Sequence, residues 1–533
     1  MSSASDQSGG GLETGTTPGG SIGKRVGSGV SLNVVQVVVL RVVSFLAQIE
    51  LARHLSHDDF GLNATAVSAA MLAGAFRDAG TPEWLVQRGM DEYRRSASSC
   101  FWLSLTVNTV LAMALLAAAP VSASILNQPK LPAMFLCVAL SIPLSAPGAI
   151  QAAKLRMELR LKAVSWVYST SALIRYAGAV VFAMAGFGAL SFVLPMPIAS
   201  LFESIFMYVA VKETPWKGTR THGLGIGDWR GFLVSTRWIM IGGLSIAVLS
   251  VGDYAALAWV LPPEEVGVYF FAFQLVSMTG AVLAHNIGKL MYPALAALRE
   301  QPDRLKSAMY RCLCALMLLS APASVGVGAV IDPVEAIFWK GQWDPAVLPV
   351  LVFALTYPIR AVIVVPQVTL MAIGRFRGYA FYTMMIGVVC MVASVVVAML
   401  APADDRPAWI ALGVGIVRSA ACGLVLIVTA RAVGLSFRML FESVVPAWLA
   451  SLLAAAGAVA LDRVLVGQVT PLLRAIIAGA VFAAAYGGLC RVAIPGIVDD
   501  ALAVLPAGLT RPARVLLRLP MGPPPASSEA DAP

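Results

Sequence analysis

Residues 378–400 read GYAFYTMMIGVVCMVASVVVAML, 23 consecutive residues without a charged side chain. A helix rises about 1.5 Å per residue, so this run covers roughly the 30 Å hydrocarbon thickness of a bilayer. A barrel strand would instead alternate apolar and polar positions over about 10 residues. The run shows no such alternation and predicts a membrane-spanning α-helix.

The pattern recurs on both sides of this stretch. Of 533 residues, 58% are hydrophobic and 13% charged, whereas soluble proteins average about 25% charged residues. Too little polar side chain is present to cover a water-soluble surface. Fourteen spans are expected, at 30–50, 61–78, 99–119, 132–153, 165–186, 188–211, 232–254, 266–288, 308–331, 347–373, 378–400, 408–430, 445–465 and 471–491. The split at Gly186–Gly188 demands a very tight turn. The expected fold class is an all-α integral membrane protein.

Basic residues test that count. The net charge of +9 sits in short loops between apolar runs. That is an orientation signal rather than a nucleic-acid surface, so no nucleic-acid partner is expected. With a cytoplasmic N-terminus, the loops expected inside carry 27 Lys and Arg, and those expected outside carry 6. A wrong count would scramble this alternation, so both termini are expected in the cytoplasm. Residues 1–29, rich in Gly, Ser and Thr, lack the apolar stretch of a signal peptide and read as a disordered tail. Residues 494–533, ending MGPPPASSEADAP, read the same way. Seven Cys lie in or beside apolar runs with no metal-ligand spacing.

An internal repeat divides the chain. LARHLSHDDFGL at 51–62 and LAWVLPPEEVGV at 257–268 share a Leu-Ala start, two acids, and a Gly between apolar residues. Each stands between the first and second spans of a six-span unit. Duplication explains the matching positions, and transporters built this way bind substrate between the halves. The alternative is two convergent helix–turn–helix junctions with acidic caps.

These motifs carry a resemblance. LARHLSHDDFGL is followed by FRDAG at 76–80 and LVQRG at 85–89. EEVGVY at 264–269 leads to MYPALAALRE at 291–300. GQWDPAVLPVLVFAL at 341–355 precedes AIGRFRG at 372–378. In order and spacing they resemble the polysaccharide transporter family of the multidrug/oligosaccharidyl-lipid/polysaccharide (MOP) superfamily, which holds Wzx-type flippases and colanic-acid-exporter-like proteins. His57 stands where that family usually has Pro, a change expected to be harmless in a loop. The resemblance implies two MATE-like six-helix lobes around a central cavity, 30–211 and 232–430, joined by a cytoplasmic linker at 212–231. Two further helices follow within 431–493. It also implies alternating access, an undecaprenyl-pyrophosphate-linked saccharide as substrate, a bacterial cytoplasmic membrane, and polysaccharide polymerase machinery as a partner alongside membrane lipids.

Charges within spans are costly and usually face a cavity or a partner. Arg41, Arg360 and Arg418 fall mid-span, with no acid at an obviously matching depth. With Arg237, near the start of its span, they are expected to line the cavity and hold substrate phosphates, which suit the planar guanidinium fork. Arg175 and Glu203 lie at similar depth in adjacent spans and are expected to form an ion pair, structural or coupling. Asp78 and Asp253 end their spans, where an acid can hold a neighbouring helix. His285 and Asn286 could line the cavity or join helices. Pro143, Pro147, Pro195, Pro197, Pro358 and Pro366 are expected to bend spans.

A polytopic enzyme should show an outer catalytic domain. The longest expected outer loop, 332–347, has about 16 residues, and no GxxxxGK[ST] or HExxH motif occurs, so no cofactor or metal is expected. A drug antiporter of the same superfamily is the nearer rival, though twelve spans would be usual there.

Overall fold

The computed structural model describes residue 36 and residues 39–217 and 226–502; the expected tail at 1–29 and the chain beyond 502 lie outside the described residues. All regular structure among these is helical. Helix α1 covers 39–54. It is followed by α2 (His57–Gly74), α3 (Thr81–Arg88), α4 (Met90–Ile125), α5 (Leu131–Leu144), α6 (Ala146–Met157), α7 (Leu161–Met184) and α8 (Pro195–Val211). The second part holds α9 (Ile226–Leu257), α10 (Pro263–Ala297), α11 (Pro302–Phe338), α12 (Asp344–Val362), α13 (Val364–Ala372), α14 (Phe376–Leu400) and α15 (Arg406–Val433). Then come α16 (Phe437–Leu465), α17 (Pro471–Ala493) and the short α18 (Pro495–Leu502).

Among the described residues ten helices, α12 and α13 counted as one, are long and apolar enough to cross a bilayer. The pair α5–α6, bent by 43°, makes an eleventh if it counts as one span. Its break lies between Pro143 and Pro147, as the missing amide hydrogens dictate. The other three expected spans fall on α1, α2 and α10, which are helical but outside that set.

Several boundaries differ from expectation. The loop expected at 332–347 shrinks to five residues, because α11 runs to Phe338 and α12 starts at Asp344. The Glu335 carboxylate closes it by accepting the Gly341 and Trp343 amide hydrogens at 3.0 Å. The expected tail starting at 494 begins instead with α18, whose Val498 is buried against α11. The 212–231 linker is shorter, since α9 begins at Ile226. The split at 186–188 holds. Gly186 and Gly188 adopt φ of 81° and 56°, open to glycine without a Cβ penalty. The Asp59 carboxylate then accepts the Ala189 amide at 2.9 Å.

One large apolar core joins α9–α18 to α1 and the start of α2, while smaller clusters knit α2–α8. The repeat explains the junction between the two parts. Ser56 caps α2 reciprocally with Asp59. At the matching point α10 opens with Pro263, and Glu265 takes Arg406 of α15 at 2.9 Å. The two helix starts cross at the positions the repeat pairs. A Cβ at Gly61 would collide with the Pro263 carbonyl, and one at Gly267 with the His57 carbonyl. His57 is therefore not an idle loop residue. Its Nε2 meets the Gln342 carbonyl at 2.8 Å and its ring packs on Trp343. Trp343, buried and stacked on Phe271 at 3.9 Å, donates to the Ala52 carbonyl at 2.8 Å. This end of the bundle, which carries the basic-poor loops, is closed.

Candidate functional site

Below that crossing lies a cavity of about 610 Å³. It is walled by the later part of α2, by α3, α5, α7 and α8, and by Ile239, Met240 and Gly243 of α9. From Gly61 to Gly74 the helix rises about 20 Å, so the cavity sits toward the basic-rich end. Both parts of the repeat contribute to its wall.

Its charged rim is built by a turn between α2 and α3. Asp78, Ala79 and Gly80 have φ of 58°, 50° and 72°. The first two are costly left-handed conformations for residues with a Cβ. Asn108 of α4 holds them there. Its Oδ1 accepts the Asp78 amide at 2.8 Å, and its Nδ2 donates to Asp78 Oδ1 at 2.8 Å. Ser104 donates to the same oxygen at 2.5 Å. Asp78 is thus buried and satisfied, and holds α4 as the span-end reading expected. Its second oxygen steadies Arg77 at 3.4 Å, leaving that guanidinium half-exposed on the cavity wall.

Arg175 of α7 and Glu203 of α8 also line the cavity, but no ion pair joins them. This corrects the expected pair. The Glu203 carboxylate instead accepts the buried Ser171 hydroxyl at 2.5 Å. Ser171 lies one turn before Arg175 on the same face of α7, and it is Ser171 that packs level with Glu203. Helix α7 starts at Leu161, fourteen residues before Arg175, whereas Glu203 is eight residues from the end of α8, so the two charges sit at different depths. Arg77 and Arg175 therefore face the cavity beside three carboxylates: Asp78, held by Ser104, Asn108 and Arg77, Glu203, held by Ser171, and the exposed Glu83.

The other expected cavity residues lie elsewhere. Arg418 is buried and paired, its Nη2 2.9 Å from Asp253 Oδ2. Tyr269 donates to the same oxygen at 3.0 Å, and Arg418 Nε approaches Cys390 Sγ at 3.3 Å. This overturns the reading of Arg418 as unpartnered. Asp253, near the end of α9 as expected, is buried in the packed interior of the bundle. Arg360 stacks on Phe273 and Tyr357, at 4.5 and 5.4 Å from the ring centroids. Arg360 and Arg418 share a separate cavity of about 20 Å³, room for about one water and not for a diphosphate. Arg237 is exposed, 5.9 Å from the Trp238 ring centroid, and lines neither of these two cavities. Arg41 is exposed on α1 and likewise lines neither. The side chains of His285 and Asn286 fall outside the described residues.

Sequence reasoning took Arg77 only as an orientation signal. The signal that marks it is the FRDAG element, where an acid and a Gly follow the Arg inside a turn. Among the described residues no group of three His, Cys, Asp or Glu is placed to hold a metal ion, and the seven Cys are free.

Residues 50–348, more than half of the chain, match the family described as "Polysaccharide biosynthesis protein". The succinoglycan biosynthesis transport protein ExoT of Rhizobium meliloti (strain 1021) is 23% identical over 298 residues, 55% of this chain and 58% of that protein. The lipopolysaccharide biosynthesis protein WzxC of Escherichia coli (strain K12) is 21% identical over 330 residues, 61% and 65% of the two chains. Both alignments span less than two thirds of the relative's length. Among solved structures, the lipid II flippase MurJ in an inward closed conformation superposes with a TM-score of 0.66 at 12% identity, covering 86% of this chain and 99% of that one. An inward-facing MATE multidrug transporter of the MOP superfamily gives 0.58 at 12% identity, covering 75% and 98%. At these identities the superpositions establish the fold alone, a two-lobe, all-helical membrane architecture.

Proposed function

This chain belongs to the polysaccharide biosynthesis protein family, and from that we propose that it is a flippase moving a lipid-linked oligosaccharide or polysaccharide across the cytoplasmic membrane by alternating access. The observation that carries the reading is the 610 Å³ cavity between the two repeats, with Arg77 and Arg175 on its wall. Guanidinium groups hold phosphate oxygens without reading the sugar. On that wall Gly74 has open space where a Cβ would stand, while Gly80 and Gly243 let α9 pack closely on the turn. The proposed substrate is an undecaprenyl-pyrophosphate-linked saccharide, handed on to polymerase machinery. The proposed topology has fourteen crossings with both termini and the basic-rich loops in the cytoplasm. The state described is then open to the inside and closed outside at the α2–α10 crossing.

The test is transport in proteoliposomes by the full chain. A fluorescent undecaprenyl-pyrophosphate disaccharide placed in one leaflet should gain protection from an impermeant quencher faster than in protein-free vesicles. Equal rates, with cation-driven uptake of an organic cation instead, would establish the drug-antiporter reading.

A further inference from the structure

A second basic pocket, apart from the transport cavity, lies at the basic-rich end between α4, α6 and the 212–217 segment. It measures about 760 Å³ and is lined by Arg94, Arg95, Lys154, Lys212 and Lys217, with Glu158 and Glu213 as the acids. We propose that this pocket binds the phosphate of an anionic phospholipid of the inner leaflet.

The acids are already engaged. Lys154, largely buried, reaches Glu213 at 2.5 Å and Glu158 at 3.5 Å, and lies 5.9 Å from the Tyr93 ring centroid. Arg160 takes a further Glu158 oxygen at 3.6 Å. Among the described residues no carboxylate lies within ion-pairing distance of Arg94, Arg95, Lys212 or Lys217. Four cations therefore share one concavity without counter-charge. Such an arrangement repels itself unless an anion occupies it.

The floor is fixed rather than loose. Gln151 Nε2 donates to the Glu213 carbonyl at 3.1 Å, and Arg160 Nη1 donates to the Ala210 carbonyl at 3.2 Å. Lys212 ends α8 at a φ of 58°, and the turn Pro215–Lys217 packs Pro215 into the interior. The segment after α8 is thus folded back across α4 and α6.

Its depth selects a lipid. Arg94 and Arg95 precede the apolar part of α4, and Lys212 directly follows the apolar α8, so the cations stand at headgroup level. Trp102, Tyr208 and Trp216 are exposed around the site, as aromatic side chains are at a membrane interface. Basic pockets between spanning helices on the cytoplasmic side suit phospholipid headgroups. With the basic-rich end placed in the cytoplasm, as proposed above, the leaflet is the inner one.

The experiment is native mass spectrometry of the detergent-purified full chain titrated with phosphatidylglycerol or phosphatidylcholine. K212Q/K217Q should weaken phosphatidylglycerol binding about thirtyfold and leave phosphatidylcholine unchanged. K212R/K217R, which keeps the charge, should bind as wild type, and raising the salt should release lipid from wild type. Unchanged phosphatidylglycerol binding by K212Q/K217Q overturns the proposal. So does loss of that binding in R175Q, which would place the lipid in the transport cavity. Retention of undecaprenyl pyrophosphate alone, with no phosphatidylglycerol, would overturn it in favour of a substrate site. Transport is not read, so failure of the flippase reading leaves the result intact.

Discussion

Gly61 and Gly267, matching positions of the internal repeat, each lie against the backbone at the start of the other's helix. The approach works because neither residue has a Cβ. Alanine at either position must push α2 and α10 apart, and forced overpacking costs about 1–3 kcal/mol. That penalty falls on the closed crossing alone. G61A and G267A should therefore shift the protein toward opening at its basic-poor end. Thr65 lines a cavity of about 160 Å³ beside that crossing. A T65C reporter should label faster with an impermeant maleimide in either Ala background. Unchanged labelling would show that the crossing is not an opening element.

Arg418 and Asp253 predict a stability effect rather than a transport effect. Breaking a buried pair by removing one partner costs about 3–5 kcal/mol, because the other charge is stranded. R418A should lower the melting temperature in detergent markedly, and D253N/R418Q should recover much of it. A loss in the double variant equal to the sum of the single losses would mean that the pair is not coupled.

That pair also marks where the sequence stopped being informative. Helical spans, the tight turn at 186–188 and the matched repeats follow from local composition and survive in the structure. Partnerships between spans do not. Asp253 is four residues from the end of α9, while Arg418 is twelve residues into α15. They meet because the two helices are offset along the membrane normal, and that offset is set by packing alone. Arg175 and Glu203 fail the opposite way. Their expected depths agree, but α7 starts at Leu161, earlier than the apolar run suggests, and Glu203 packs level with Ser171, one turn short of Arg175, so both reach the cavity without touching. Arg77 was hidden for a third reason. It stands just beyond an apolar run, and only the left-handed turn at 78–80 turns it inward.

Arg474 predicts how the last two long helices are attached. Its guanidinium takes Asp462 of α16 at 2.9 and 2.7 Å and also contacts Asp332 of α11. R474A leaves two carboxylates facing each other without a cation and should loosen α16–α17 from α11. Limited proteolysis in the 466–470 connection should accelerate several-fold, with the earlier helices still protected. Unaltered cleavage would show that apolar packing alone holds these helices.

Arg77 and Arg175 carry the transport prediction. Each is placed to make a charge-assisted hydrogen bond to phosphate, worth about 1.5–3 kcal/mol. At about 1.4 kcal/mol per decade, loss of either should weaken substrate binding roughly tenfold to a hundredfold. R175A strands no ion-pair partner, since Glu203 is held by Ser171. Protein level should therefore stay normal while export falls. R77A removes the cation beside Asp78, but Asp78 keeps Ser104 and Asn108, so folding should again survive. Arg→Lys at either site keeps the charge and loses the fork, and should leave partial activity. R41A and R237A, away from the cavity, should export normally. The measurement is complementation of a deletion strain, with each variant quantified in the membrane fraction. Wild-type export by R77A and R175A at normal levels would remove the phosphate-holding role from this cavity. Loss of export in R41A at a normal level would return the site to where the sequence first placed it.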